Sequence, residues 1–216
     1  MLVLAIDTSS AAVSAAVAEV GAADVTERAR HCTVNARGHG EFLAPMIEAC
    51  LATAMVLPHQ LGAIVAGTGP GPYTGLRVGL VTAAVMSRAL GIPAYGICSL
   101  DGIAPPTGEV LVAADARRKE VYWARYRDGA RTAGPGVARP AEVPVNGVTV
   151  FAGAGSRLYP DVFGAPVDDR DFPDPVELVR RAVDKIGGGA QSDPLTPLYL
   201  RRPDAVEPGP PKAVSR

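Results

Sequence analysis

Two short stretches carry residue types suited to holding an anion or a metal–phosphate group. The first is the run Gly67-Thr68-Gly69-Pro70-Gly71-Pro72-Tyr73-Thr74-Gly75. An apolar strand pattern over 61–66 leads into it, and an apolar helical pattern over 76–90 leaves it. A strand, a Gly-rich turn and a helix start form a phosphate cradle, because free N–H groups and the helix dipole point at the anion. The run is not a P-loop, since no Lys-Ser/Thr pair follows the glycines. It is not the dinucleotide fingerprint either: counted from Gly67 the third glycine falls at Pro72, and counted from Gly69 it falls at Thr74. Pro70 and Pro72 also remove two N–H donors that a cradle would use. The competing reading, which the prolines favour, is that the glycines permit a tight turn and close helix–sheet packing.

The second stretch is Asp7-Thr8-Ser9-Ser10, at the end of an apolar run. A strand-end Asp beside small hydroxyls has the chemistry to hold magnesium–phosphate through water. The plainer alternative is a turn in which these side chains bond local backbone N–H groups. Other chemistries find little support. His31, His39 and His59 include no i, i+4 pair, so a helical metal site is not expected. Cys32, Cys50 and Cys98 are odd in number and form no CxxC, which argues against a disulfide framework or structural zinc. No Gly-x-Ser-x-Gly elbow is present. The charged run Asp115-Ala116-Arg117-Arg118-Lys119-Glu120 reads as a solvated hairpin, with a binding role as the minor alternative.

The elements that must position these residues follow from periodicity. Residues 2–6, 12–20 and a stretch within 25–34 read as three successive strands, hence an antiparallel meander. Over 41–57 the period becomes helical: Phe42, Met46 and Cys50 form one row and Leu43, Ile47 and Leu51 the next, with a stop before Pro58. Residues 76–90 are apolar nearly all round, with Gly91 at C′ and Pro93 beyond. Strand–Asp–turn–strand then recurs: 110–114 ends at Asp115 and 121–126 follows. Residues 148–152 run into Gly153-Ala154-Gly155, as 61–66 runs into Gly67-Thr68-Gly69. This reads as an internal duplication, and two copies imply two lobes. The last helix opens with Asp174 as N-cap, Pro175 at N1 and Glu177 at N3, carries Val176, Val179, Val183 and Ile186 as a stripe, and stops at Gly187-Gly188-Gly189.

Composition bounds the rest. The 216 residues suit one large domain or two small lobes. A formal net charge of −1 argues against a chain that grips nucleic acid by phosphate neutralisation alone. Basic residues are 18 Arg against 3 Lys, read as coding bias and not as function. Few cysteines point to a reducing cytoplasm. The first residues read as a strand and not a signal peptide, and no apolar run reaches the ~20 residues of a membrane span. Gly and Pro total 44 residues, and the nine-residue run 67–75 concentrates four glycines and two prolines.

Taken in order, Leu4-Ala5-Ile6-Asp7-Thr8-Ser9, Gly69-Pro70-Gly71-Pro72-Tyr73-Thr74-Gly75-Leu76-Arg77-Val78-Gly79, Asp115-Ala116-Arg117 with Glu120-Val121-Tyr122, and Pro197-Leu198-Tyr199-Leu200-Arg201 resemble the bacterial TsaB (YeaZ) family. The resemblance runs from Leu2 to about Arg202. It implies an α/β, actin-like (ASKHA) fold with two lobes of mixed β-sheet flanked by helices. The expected division is an N-terminal lobe at 1–104, a smaller C-terminal lobe at 105–202 and a disordered tail at 203–216.

The resemblance also implies a role in making N6-threonylcarbamoyladenosine (t6A) at position 37 of tRNA. There TsaB is the non-catalytic scaffold and activator of a TsaD-type transferase, and TsaE, an ATPase, joins the pair. It implies a homodimer in isolation, tRNA contact only through the complex, and no membrane. TsaD-like catalysts use a His-x-x-x-His metal site, which this sequence lacks. Phe42, Leu43, Met46, Ile47, Cys50, Leu76, Leu80 and Ala84 are the expected partner-contact residues, chosen from the two helices with excess apolar surface. No catalytic residue, no metal and no tightly bound cofactor are expected. Weak or interface-located ATP or ADP with magnesium stays open, with Asp7, Thr8, Ser9, Gly69 and Gly71 as candidate contacts. The family has Ser before the aromatic where this chain has Pro72, which weakens any phosphate role for the loop. The alternatives are an actin-like ATPase or small-molecule kinase using Asp7 and the Gly-rich loop, and, from the old glycoprotease label alone, a metallopeptidase.

Overall fold

A computed structural model describes residues 1–22, 24–164 and 168–201. The chain opens with β1 (Leu2–Asp7), β2 (Ala12–Val20) and β3 (Val25–Val34), an antiparallel meander. Helix α1 (His39–Ala54) leads to β4 (Leu61–Gly67), helix α2 (Tyr73–Leu90) and β5 (Ala94–Ile97). β1 pairs parallel with β4, and β4 with β5, so the first sheet has the order β3-β2-β1-β4-β5. Both faces are covered. Leu4 and Ile6 point to the core shared with α1 and α2, while Val3 and Ala5 point to the opposite face. That two-sided burial is why β1 reads as a continuous apolar run and not as an alternation.

The second half repeats the plan. β6 (Glu109–Asp115), β7 (Val121–Arg127) and β8 (Ala130–Ala138) form a meander, and β9 (Val150–Ala152) pairs parallel with β6. The order β8-β7-β6-β9 matches β3-β2-β1-β4. The duplicated strand–Asp–turn–strand pattern is thus a duplicated sheet, with Asp7 and Asp115 at equivalent strand ends. Two short helices, α3 (Ala154–Leu158) and α4 (Pro160–Phe163), pack beside the second sheet.

The last helix, α5 (Pro175–Gly187), starts as its sequence implies: the Asp174 carboxylate accepts from the Val176 N–H at 2.8 Å. Its placement departs from a division at residue 105. Leu178, Val179, Ala182 and Ile186 pack against Val3, Ala5, Val65 and Tyr95, so α5 covers the back of the first sheet. The chain therefore crosses to the second lobe and returns, because the apolar back face of the first sheet needs a cover, which this amphipathic helix supplies. The expected tail at 203–216 lies outside the described residues.

Smaller differences have local causes. α1 ends at Ala54, not at Leu57, because Met55 takes a left-handed conformation (φ 54°) and caps it. β8 contains Gly134-Pro135-Gly136 and escaped the strand reading; it sits at a sheet edge, where a missing proline N–H is tolerated.

Candidate functional site

The C-terminal ends of β1 and β4 lie side by side, and the two stretches with anion-binding potential meet there. Asp7 is 1% exposed. Its Oδ1 accepts from the Ser9 N–H (2.9 Å) and the Ser9 hydroxyl (2.8 Å). Its Oδ2 accepts from the Ser99 hydroxyl at 2.5 Å. Burial pushes the Asp7 carboxyl above the usual carboxylate range, against the pull of the Ser99 and Ser9 hydrogen bonds and of His39. Ser99 is itself placed by the loop, accepting from the Gly69 N–H (3.0 Å) and donating its own N–H to the Gly69 carbonyl (2.7 Å).

The glycines answer to this crowding. A Cβ on Gly67 would lie 1.8 Å from Asp7 Oδ2, and one on Gly71 would lie 2.0 Å from the Ser9 carbonyl oxygen. Thr8 stitches the same turn to α2: its hydroxyl donates to the Gly75 carbonyl (2.8 Å) and accepts from the Gly79 N–H (3.1 Å). A Cβ on Gly79 would sit 2.4 Å from that hydroxyl. His39 closes the turn from the other side, its Nε2–H donating to the Ser10 carbonyl at 2.8 Å. Asp7, Thr8, Ser9, Gly69 and Gly71 are therefore brought together, but as a packed junction. The Asp7 oxygens and the Thr8 hydroxyl spend their hydrogen bonds inside the protein. Nothing in the sequence marks Ser99 as the partner of Asp7; the two are 92 positions apart.

Beside the junction, between the lobes, is a cavity of about 250 Å³. Its walls include Pro70, Pro72, Leu100, Tyr122 and Phe172, and its rim carries Arg117 and Arg157. Both arginines face carboxylates of their own lobe, Arg117 at Asp115 (3.5 Å) and Arg157 at Asp171 (2.6 Å). The hairpin 115–120 is thus at the cavity mouth. Its residues Arg117, Arg118 and Lys119 are all left-handed, with φ of 63°, 53° and 62°. Among the described residues no three His, Cys, Asp or Glu side chains converge as metal ligands. No helix there is long and apolar enough to cross a membrane.

The outer surface of α2 has a different character. Of the eight expected contact residues, Leu43, Met46, Ile47, Cys50 and Leu80 are buried in the core against the first sheet, and Leu76 is also fully buried. They are core, not surface, because the widest apolar rows of α1 and α2 turn inward. Phe42 is half-buried and Ala84 is exposed. The exposed apolar face is made instead by Val81 (59% exposed) and Val85 (61%), next to Ala84. One end of that face is aromatic: Tyr73 stacks on Tyr199 with centroids 4.7 Å apart, and the Arg77 guanidinium lies 4.0 Å from the Tyr73 ring centre. Val81 and Val85 lie one turn apart on this face, but no sequence signal separates them from the buried Leu76 and Leu80.

Two paired sheets with a shared strand order, flanked by helices and enclosing a cleft, define an actin-like two-lobed protein. The known structure of YeaZ from Pseudomonas aeruginosa superposes with a TM-score of 0.77 at 27% identity, covering 92% of this chain and 99% of that one. A family model described as TsaD, tRNA N6-adenosine threonylcarbamoyltransferase, matches residues 31–152. The tRNA threonylcarbamoyladenosine biosynthesis protein TsaB of Escherichia coli is 30% identical over 178 residues, 75% of each chain. The chain belongs to the TsaB (YeaZ) family. A protein of Mycobacterium leprae is 48% identical over 206 residues, 94% of this chain, and the chain spans 56% of that relative's length.

Proposed function

We propose that this chain serves tRNA t6A biosynthesis as a non-catalytic scaffold and activator of a TsaD-type transferase, in a complex that also takes in a TsaE-type ATPase. The observation that carries the reading is the exposed Val81–Val85 face of α2 with its Tyr73, Arg77 and Tyr199 border, on a chain similar to a protein named for t6A biosynthesis. Aromatic residues and Arg beside exposed aliphatics are the composition of protein-binding hot spots. The Asp7 junction supports the division of labour. A carboxylate at 1% exposure, with both oxygens accepting from Ser9 and Ser99, is arranged to hold the β1 turn against the loop. The same geometry weighs against the ATPase or kinase reading, which needs Asp7 open to a magnesium–phosphate group. Any ATP or ADP role then belongs at the partner interface.

The test is copurification with the TsaD-type partner, followed by t6A formation with partner, TsaE, threonylcarbamoyl-adenylate and tRNA. Val81→Glu with Val85→Glu is expected to abolish both while thermal stability holds. Binding and modification at wild-type levels by that variant refute the assigned face. Modification that proceeds without this chain refutes the function.

A further inference from the structure

The segment Pro197-Leu198-Tyr199-Leu200-Arg201 is a distinctive stretch of the sequence for which neither the cleft nor the α2 face fully accounts. It ends an irregular strap, residues 190–201, that touches both lobes in turn. Near its start Asp193 bonds the open edge of β5: its N–H donates to the Ala94 carbonyl (2.9 Å), and its carboxylate accepts from Gly96 N–H (2.9 Å) and Lys185 (2.6 Å). Leu195 packs into the core of the first lobe. Leu198 then donates its N–H to the Thr68 carbonyl at 2.8 Å, in the Gly-rich loop. Leu198 and Leu200 alternate inward against the core of the second lobe. Tyr199, between them, points outward and stacks on Tyr73 of α2. Arg201 reaches the hairpin of the second lobe, donating to the Ala116 carbonyl (2.8 Å) and to the Glu120 carboxylate (2.6 Å).

The target of Arg201 matters. Three successive non-glycine residues in the left-handed region persist only when their surroundings over-determine them. Within the hairpin, Arg117 N–H donates to Asp115, Ala116 N–H to the Glu120 carbonyl, and Glu120 N–H to the Arg117 carbonyl. Arg201 ties the hairpin from outside, bonding both shoulders of the turn, Ala116 and Glu120. A single residue, Leu200, separates this tie from the Tyr199–Tyr73 stack. The two contacts therefore share the same short piece of backbone.

We propose that residues 190–201 are a clasp, in which Arg201 holds the left-handed hairpin at the cavity mouth and Tyr199 holds the start of α2, so that the two release together. Arg201 and Tyr199 are then positioning residues. The hairpin at the inter-lobe cavity and the aromatic border of the α2 face become one cooperative unit. An event in the cleft that dislodges the hairpin is felt where the partner docks. That last consequence rests on the proposed docking face; the clasp itself does not.

Residue-resolved amide exchange on the full chain tests the idea, with Arg201→Met (which keeps the apolar stem), Glu120→Gln and Tyr199→Ala. Coupling between two ends of one unit is reciprocal. Arg201→Met and Glu120→Gln are expected to speed exchange at Leu198, Leu76 and Arg77 as well as at Ala116 and Glu120, by about tenfold. Tyr199→Ala is expected to speed exchange at Ala116 and Glu120 by about two- to fivefold. Acceleration confined to the end that was altered overturns the clasp, as does no acceleration at all. So does acceleration shared equally by the β1 amides, which would mean general loosening. No partner is needed, so failure here leaves the scaffold reading standing, and a failed copurification leaves the clasp standing.

Discussion

Replacing Gly71 by Ala tests the view that the Gly-rich loop is a packing device. The added methyl would sit 2.0 Å from the Ser9 carbonyl oxygen, 2.8 Å from its carbon and 2.9 Å from Ser9 Cα. An ordinary C···O contact is about 3.3 Å, so the two backbones must part by roughly 1.3 Å. Neither can yield cheaply. Ser9 is tied to Asp7 by two hydrogen bonds, and Thr8 is tied to α2 by two more. Overpacking costs about 1–3 kcal/mol when side chains can adjust. With backbone on both sides, about 3 kcal/mol is expected, or a Tm lower by about 6–12 °C for a chain of this size. Gly40→Ala is the control. Gly40 lies in the first turn of α1 with nothing within 4 Å of its would-be Cβ, and Ala there should stabilise by about 0.5 kcal/mol. Urea titrations of both variants, read as midpoint and slope, give the comparison. If Gly71→Ala falls within about 1 kcal/mol of Gly40→Ala, the close-approach argument is wrong.

Three further outcomes follow from other contacts. Asp7→Asn removes a buried charge while keeping the side-chain shape. Because the Asp7 pKa is raised on folding, the folded chain holds that proton more tightly than the unfolded chain. Its contribution is therefore fully present below the unfolded pKa and is lost as pH rises through the folded one. The stability of Asp7→Asn relative to wild type should climb as pH rises above the usual carboxylate range, and a flat difference would contradict the assignment. Asp174→Ala loses the α5 cap and the Arg30 ion pair at 2.5 Å; about 1–1.5 kcal/mol of destabilisation by denaturant titration is expected, mostly from the cap. Tyr199→Ala should cost only about 0.5–1 kcal/mol, because the Tyr73 stack is partly exposed, yet weaken copurification with the TsaD-type partner.

Much of this architecture was legible because its signals are local. The β1 run ends at Asp7, the Asp174-Pro175 start of α5 has one meaning, and the strand–Asp–turn–strand repeat maps onto equivalent strands of two sheets. What was not legible depends on contacts distant in sequence. Stripe periodicity shows that α5 is amphipathic but not which sheet it covers. On α2, Leu76 and Leu80 look no different from Val81 and Val85 in a helix apolar nearly all round; only the packed sheet separates core from surface. At the candidate site the residues Asp7, Thr8, Gly69 and Gly71 were singled out by type, but the choice between cradle and junction turned on Ser99 and on the Ser9 carbonyl. Short strands such as β5, four residues long and interrupted by Gly96, offer too little pattern to read.

The place of β3 at the end of the first sheet carries a consequence for how copies of this chain meet. An open strand edge of ten residues is a template for another strand. β3 guards it with charge: Glu27, Arg28 and Arg30 lie along it, Arg28 paired to Glu19 and Arg30 to Asp174. An incoming backbone would have to strip water from those ions to pair. The charges along this edge thus raise the cost of fibril-like stacking there.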